Sequence, residues 1–118
     1  MHQSPLPVAG AVEFARWVLR RRRRFRVVGE SMLPCLAPGQ VVFAATDRPA
    51  SASDVVCARH PYDPSTVVIK RVARIDDDGR LFLQSDNALA EGATDSSRFG
   101  MVEPFAMLGV VTSVVASN

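Results

Sequence analysis

The stretch TVVIKRVARIDDDGRLFLQ, residues 66–84, decides the fold. Thr66–Arg74 and Arg80–Gln84 are short runs rich in β-branched and apolar side chains, the pattern of strands. Between them, Ile75–Leu81 carries Asp77-Asp78-Gly79, two short polar side chains followed by a residue free to take positive φ. The segment therefore predicts a β-hairpin. Similar runs lie outward from it at Arg26–Val28, Gln40–Ala44, Asp54–Arg59 and Met107–Val115, separated by Gly29, Pro34, Pro38-Gly39, Arg48-Pro49, Pro61 and the loop Asn87–Gly100. Six short strands without alternating helices predict a mainly β, compact, antiparallel domain. Residues 1–7 read as a loose, proline-broken terminus. Val8 to about Arg22 alone has helical spacing, with Val8, Val12, Phe14 or Ala15, Val18 and Leu19 on one side, and is expected to run out into the arginines. Two segments follow: an N-terminal helix with an Arg-rich arm, 1–26, and a β domain, 27–118.

The composition narrows the function classes. The chain has 118 residues, 47% of them hydrophobic and 22% charged, enough apolar content for one core and too much for global disorder. With only Cys35 and Cys57 it is no disulfide scaffold, and no Cys/His cluster suggests zinc. The apolar patch Val8–Leu19 is broken by Glu13 and Arg16, too short to span a bilayer, and precedes its arginines where a signal peptide would follow them. A cytoplasmic location is expected. Residues 1–26 hold seven arginines against Glu13, a net of +6, whereas the remainder carries −4. This arm has four readings: a solvated helix end, a patch drawn peripherally to anionic membrane, a docking site for an acidic precursor, and a nucleic-acid arm. The last lacks interleaved aromatics, so no nucleic acid is expected.

Of 14 basic residues, 13 are arginine and Lys70 is the one lysine. Strand alternation sets Val68, Lys70 and Val72 on one face. An edge lysine that snorkels to water is one outcome. A desolvated amine, neutral near physiological pH and able to act as a general base, is the other, and arginine cannot replace it there. A base needs a nucleophile, and Ser31 in Val28-Gly29-Glu30-Ser31-Met32-Leu33-Pro34 is the candidate, presented from a turn between a glycine and a proline.

The pairing extends further. Gly29-Glu30-Ser31-Met32-x-Pro34-x-Leu36, Gly39-x-Val41-Val42 and Ile69-Lys70-Arg71-Val72 resemble the signal peptidase I family of Ser/Lys-dyad proteases. Ser85-Asp86-Asn87 and Asp95-Ser96-Ser97-Arg98-Phe99-Gly100 resemble that family's final box, and the likeness spans about Val27 to Val115. Arg59-His60-Pro61 and the strand Ile69–Arg74 are similar to the short nickel-type superoxide dismutase maturation proteases. The resemblance implies a domain of the signal peptidase and SOS-repressor peptidase type, with Ser31 and Lys70 catalytic. It further implies an oxyanion site at the backbone of Ser31 and Gly29, and substrate contacts at Met32 and Pro34. Asp95, Ser96 and Arg98 would brace the site through an Asp–Arg pair and a hydroxyl that orients the amine. No cofactor or metal is implied. The implied partner is a precursor polypeptide, a nickel superoxide dismutase proenzyme, that loses its N-terminal leader. Departures from the pattern include Cys35 for threonine, Gln40 for aspartate, Ser53 and Ser85 for glycines, and a final loop two residues longer, reading DSSR.

Two rival classes stand beside this one. A self-cleaving domain like those of the SOS repressors also uses a Ser/Lys dyad, with Ala9-Gly10 as its bond. A non-catalytic module would hold an anionic surface through Arg20–Arg24 and recognise extended peptide. A Cys–His pair involving His60 has no supporting spacing, and Asp76-Asp77-Asp78 lacks the ligand pattern of a calcium loop.

Overall fold

The computed structural model describes residues 6–90 and 92–116, so residues 1–5 of the expected loose terminus fall outside it. Helix α1 spans Ala11–Val18 and α2 spans Ser96–Phe99; a single 3-10 turn occupies Pro104–Ala106. The strands are β1 Arg22–Arg26, β2 Val41–Ala45, β3 Val55–His60, β4 Asp63–Ile75, β5 Leu81–Gln84 and β6 Met107–Val114. They form one antiparallel sheet in the order β1-β2-β6-β3-β4-β5, the mainly β architecture expected. The β4–β5 hairpin turns where Gly79 takes a φ of 85°, and Asp78 accepts hydrogen bonds from the N–H and Nε of Arg80.

Two half-cores explain the patterning. Val55 and Cys57 of β3 join Val27, Met32, Leu36, Val42, Ala44 and Val111 on one face. Val56 and Ala58 join Val72, Leu81, Leu83, Phe99, Val102 and Val110 on the other. Alternate side chains of a strand point to opposite faces, so a strand covered on both sides reads as a continuous apolar run. β6 crosses β2 with no room to spare: a Cβ on Gly109 would come within 2.9 Å of Ala44.

The arginine run differs from expectation. The helix stops at Val18, and Arg22–Arg26 forms edge strand β1 instead of a frayed helix end. Its first residue is buried, and Glu13 of α1 supplies the carboxylate, 2.8 Å from Arg22 Nε. Pairing with the apolar β2 overrides the weak strand preference of a charged run. No described helix is long and apolar enough to cross a membrane.

Candidate functional site

Lys70 lies in the middle of β4, opposite Val56 of β3, with Val72 beside it on the same face. Its side chain is buried, and its Nζ lies 2.8 Å from Ser31 Oγ and 3.0 Å from Ser85 Oγ. No carboxylate makes an ion pair with it among the described residues. Burial holds the amine below the ordinary lysine pKa, with the more distant Asp95 carboxylate pulling weakly the other way.

Ser31 opens the turn that follows β1, and Gly29 before it takes a φ of 78°. That left-handed conformation is one that side chains adopt only with strain, so the approach to Ser31 depends on glycine there. The turn is held from both sides. Met32 is buried in the first half-core, and the Asn87 N–H donates to the Ser31 carbonyl at 2.7 Å while Asn87 Nδ2 donates to the Glu30 carbonyl at 3.2 Å. The N–H groups of Val28 through Met32 donate to no described residue, which leaves the Ser31 amide free to receive an oxyanion.

The loop after β5 is fastened by ions and caps. Arg71 grips Asp86 with two hydrogen bonds, Nη2 at 2.6 Å and Nε at 3.1 Å, and donates a third to the Ser53 carbonyl. Asp95 caps α2: its Oδ1 accepts from the N–H and hydroxyl of Ser97, and its Oδ2 accepts from the N–H of Ser85. Burial pushes the Asp95 carboxyl up, but those hydrogen bonds outweigh it and hold it below the usual range. Ser96 is buried and accepts from the Leu83 N–H at 2.8 Å.

A groove of about 240 Å³ runs past Ser31 and Lys70, walled by Arg26–Met32 on one side and Val67–Lys70 on the other, with Gly92–Thr94 at its end. Along its β4 wall the sheet is open. β5 ends at Gln84, opposite Arg71, and Val72 bonds backward to the chain leading into β3. Alternation therefore points the N–H and C=O groups of Val67 and Ile69 away from β3, with no strand beside them among the described residues.

The structure thus gathers Ser31, Lys70 and Gly29 at one groove and brings Asp95 close behind. It does not gather all of the residues singled out from sequence. Pro34 is exposed and outside the groove lining, and Arg98 is exposed with no ion pair among the described residues; Met32 does line the groove, though its side chain is buried in the core. The Asp–Arg pair is Asp86–Arg71, not one built on Asp95 and Arg98, and the hydroxyl on the amine is that of Ser85, not Ser96. Counting the β4–β5 register outward from its turn, with Arg71 opposite Gln84, is the signal that brings both Ser85 and Asp86 to this end of β4. Cys57 is buried and its thiol is pushed up to about 12 by that burial, while the His60 ring packs edge-on against Phe99. Ala9 and Gly10 lie outside the groove lining, and the Ala9 N–H is bonded to the Val114 carbonyl beside β6.

No curated protein and no solved structure matches the chain at a significant level. The model of one family, described as Peptidase S24-like, matches residues 19–112. That span holds Ser31, Lys70, the groove and all six strands but for the last two residues of β6, so the chain belongs to the Peptidase S24-like family, peptidases of the serine type.

Proposed function

We propose that this chain is a serine endopeptidase in which Lys70 serves as general base for Ser31. The observation that carries this is a buried amine, unpaired with any carboxylate among the described residues, 2.8 Å from a hydroxyl at the floor of a groove. An extended peptide would add itself to the open edge of β4, pairing with Val67 and Ile69 through its backbone. Neutral Lys70 takes the Ser31 proton as the oxygen attacks the scissile carbonyl. The oxyanion accepts from the Ser31 N–H; Gly29 adds no side-chain donor and serves by its backbone alone. The ammonium then passes its proton to the leaving amine. In the second half-reaction Lys70 draws a proton from water, which hydrolyses the acyl-enzyme.

The finer reading is removal of an N-terminal leader from a separate precursor, and the likeness of Arg59-His60-Pro61 and Ile69–Arg74 to the nickel-type superoxide dismutase maturation proteases supports such a proenzyme as substrate. Cleavage of another chain is favoured over self-cleavage because Ala9-Gly10 is tied beside β6 and not presented in the groove. Incubating the chain with a nickel superoxide dismutase precursor, read by intact mass, tests this. The expected result is one new N-terminus on the precursor, absent with Ser31→Ala. A chain that shortens itself at Ala9-Gly10 and leaves every precursor intact belongs to the self-cleaving class. Retained activity in Ser31→Ala overturns the dyad.

A further inference from the structure

Helix α1 is turned the wrong way round for an ordinary surface helix. It holds the sheet with Glu13, Phe14 and Trp17: Glu13 accepts from Arg22, Thr112 and Ser113, and the rings of Phe14 and Trp17 lie 5.2 and 5.8 Å from that of the buried Phe43. At 100° per residue, Val12, Ala15 and Leu19 fall on the side away from Glu13 and Trp17. They face solvent. Val12 is 63% exposed, Leu19 68% and Val18, on the flank, 73%. The outward side of this helix is aliphatic, and nothing described covers it.

The rim of that patch is cationic. Arg16 lies in the last turn of the helix, Arg20 and Arg21 follow its C-cap Leu19, and the Arg24 guanidinium lies 5.2 Å from the centre of the Trp17 ring. The two nearby carboxylates are spent: Glu13 and Asp47 both accept from Arg22. Arg16 shares Glu13 at 4.0 Å, and Arg20, Arg21 and Arg24 have no ion pair among the described residues, so three exposed arginines without a counter-charge of their own rim the aliphatic face.

We propose that this face docks on an anionic phospholipid bilayer. α1 lies in the plane of the interface, Val12, Val18 and Leu19 enter the boundary between headgroups and acyl chains, and the arginines meet lipid phosphates. A nucleic acid supplies the phosphates but no apolar surface for three aliphatic side chains. A second copy of the chain supplies apolar surface but sets its own arginine rim against this one, a like-charge contact that opposes association.

Trp17, the one tryptophan in the chain, sits on the sheet side of this helix but is 37% exposed, so its emission reports on the edge of the docked face. The full chain should sediment with phosphatidylcholine vesicles containing roughly 30% phosphatidylserine, with a blue shift of Trp17 emission, and not with phosphatidylcholine alone. Each arginine near an anionic surface contributes about fivefold in partition, so Arg20→Gln/Arg21→Gln/Arg24→Gln should lose about a hundredfold. Val12→Ser/Leu19→Ser should lose at least about tenfold with an unchanged unfolding midpoint, because both side chains are already in water. Failure to bind the anionic vesicles overturns the proposal, as does binding that survives the serine pair. Retention on duplex DNA but not on vesicles assigns the arginines to nucleic acid and overturns it equally.

Discussion

Arg22 is 3% exposed and Lys70 5%, yet the two corners that bury them are built on opposite plans. Arg22 meets Glu13 at 2.8 Å, Asp47 at 3.3 Å and its neighbour's carbonyl, so its charge is answered on every side. Lys70 meets two hydroxyls and no carboxylate among the described residues. A third buried cation, Arg71, follows the Arg22 plan, clamped by Asp86. A paired guanidinium is a permanent charge made tolerable by its partners, and it fastens elements together. An amine buried among hydroxyls is under pressure to lose its proton, and a base is what results. Among the described buried cations, the one lysine of the chain is also the one without a carboxylate partner, as the proposed base requires.

The sharpest way to break this contrast is to put an arginine where the lysine is. Lys70→Arg keeps the cation but cannot release a proton, so peptide cleavage should fall by at least about 10⁴-fold, as it should in Lys70→Ala and Ser31→Ala. Steady-state cleavage of a precursor peptide checks it; an active Lys70→Arg ends the general-base account.

The Arg22 corner should answer in stability, not in rate. Glu13→Ala leaves a buried guanidinium short of its main partner and should cost about 3 kcal/mol in urea unfolding, with activity per folded molecule unchanged. Burial raises the Glu13 carboxyl, but hydrogen bonds from Thr112 and Ser113 and the charge of Arg22 overcome it, so its pKa is lowered in the fold. Its stabilisation is therefore complete above the ordinary carboxylate pKa of 4.5 and is lost as pH falls through the lower, folded value. For Lys70 the depressed pKa has the same sign, in a higher pH window. The unfolded chain binds the extra proton between the two values, so stability rises with pH across that window.

Smaller effects sharpen the Lys70 side. Ser85→Ala removes one of the two hydroxyls on the amine and should lower kcat about tenfold without changing KM, with Ser85→Thr restoring it. Cleavage by the native chain should rise with pH through a Lys70 pKa below 10.5. Asp95→Asn removes the charge that favours the ammonium while leaving an oxygen to cap α2, so the rise should move to lower pH. A pH–rate profile that does not move would show that Asp95 acts only as a cap.

Much of this contrast is legible along the chain, and the missing parts have physical reasons. The valines around Lys70 and the turn at Asp77-Asp78-Gly79 act locally, and both are where the patterning puts them. Five of the six strands lie within a few residues of their expected ends, because a strand with a buried face must alternate or run apolar. β1 is the exception. RRRFR has no strand signature of its own and forms one only because β2 offers an edge and Glu13 a carboxylate. Ser85 stands out in the sequence only as a departure from the signal peptidase pattern, and its approach to Lys70 emerges only when the β4–β5 register is counted back from the turn.

The order of side chains alone thus determined a β domain, a single lysine with apolar neighbours on its face, and a serine in a glycine-proline turn. Which hydroxyls that lysine touches, and which buried cations find carboxylates, was left to tertiary structure. Period-two alternation chooses a face within a few residues of chain. The Ser31–Lys70 contact joins positions 39 apart, and the α1–β6 anchor at Glu13 and Thr112 joins positions 99 apart. Distances of that kind exist only once six strands have taken their order in the sheet.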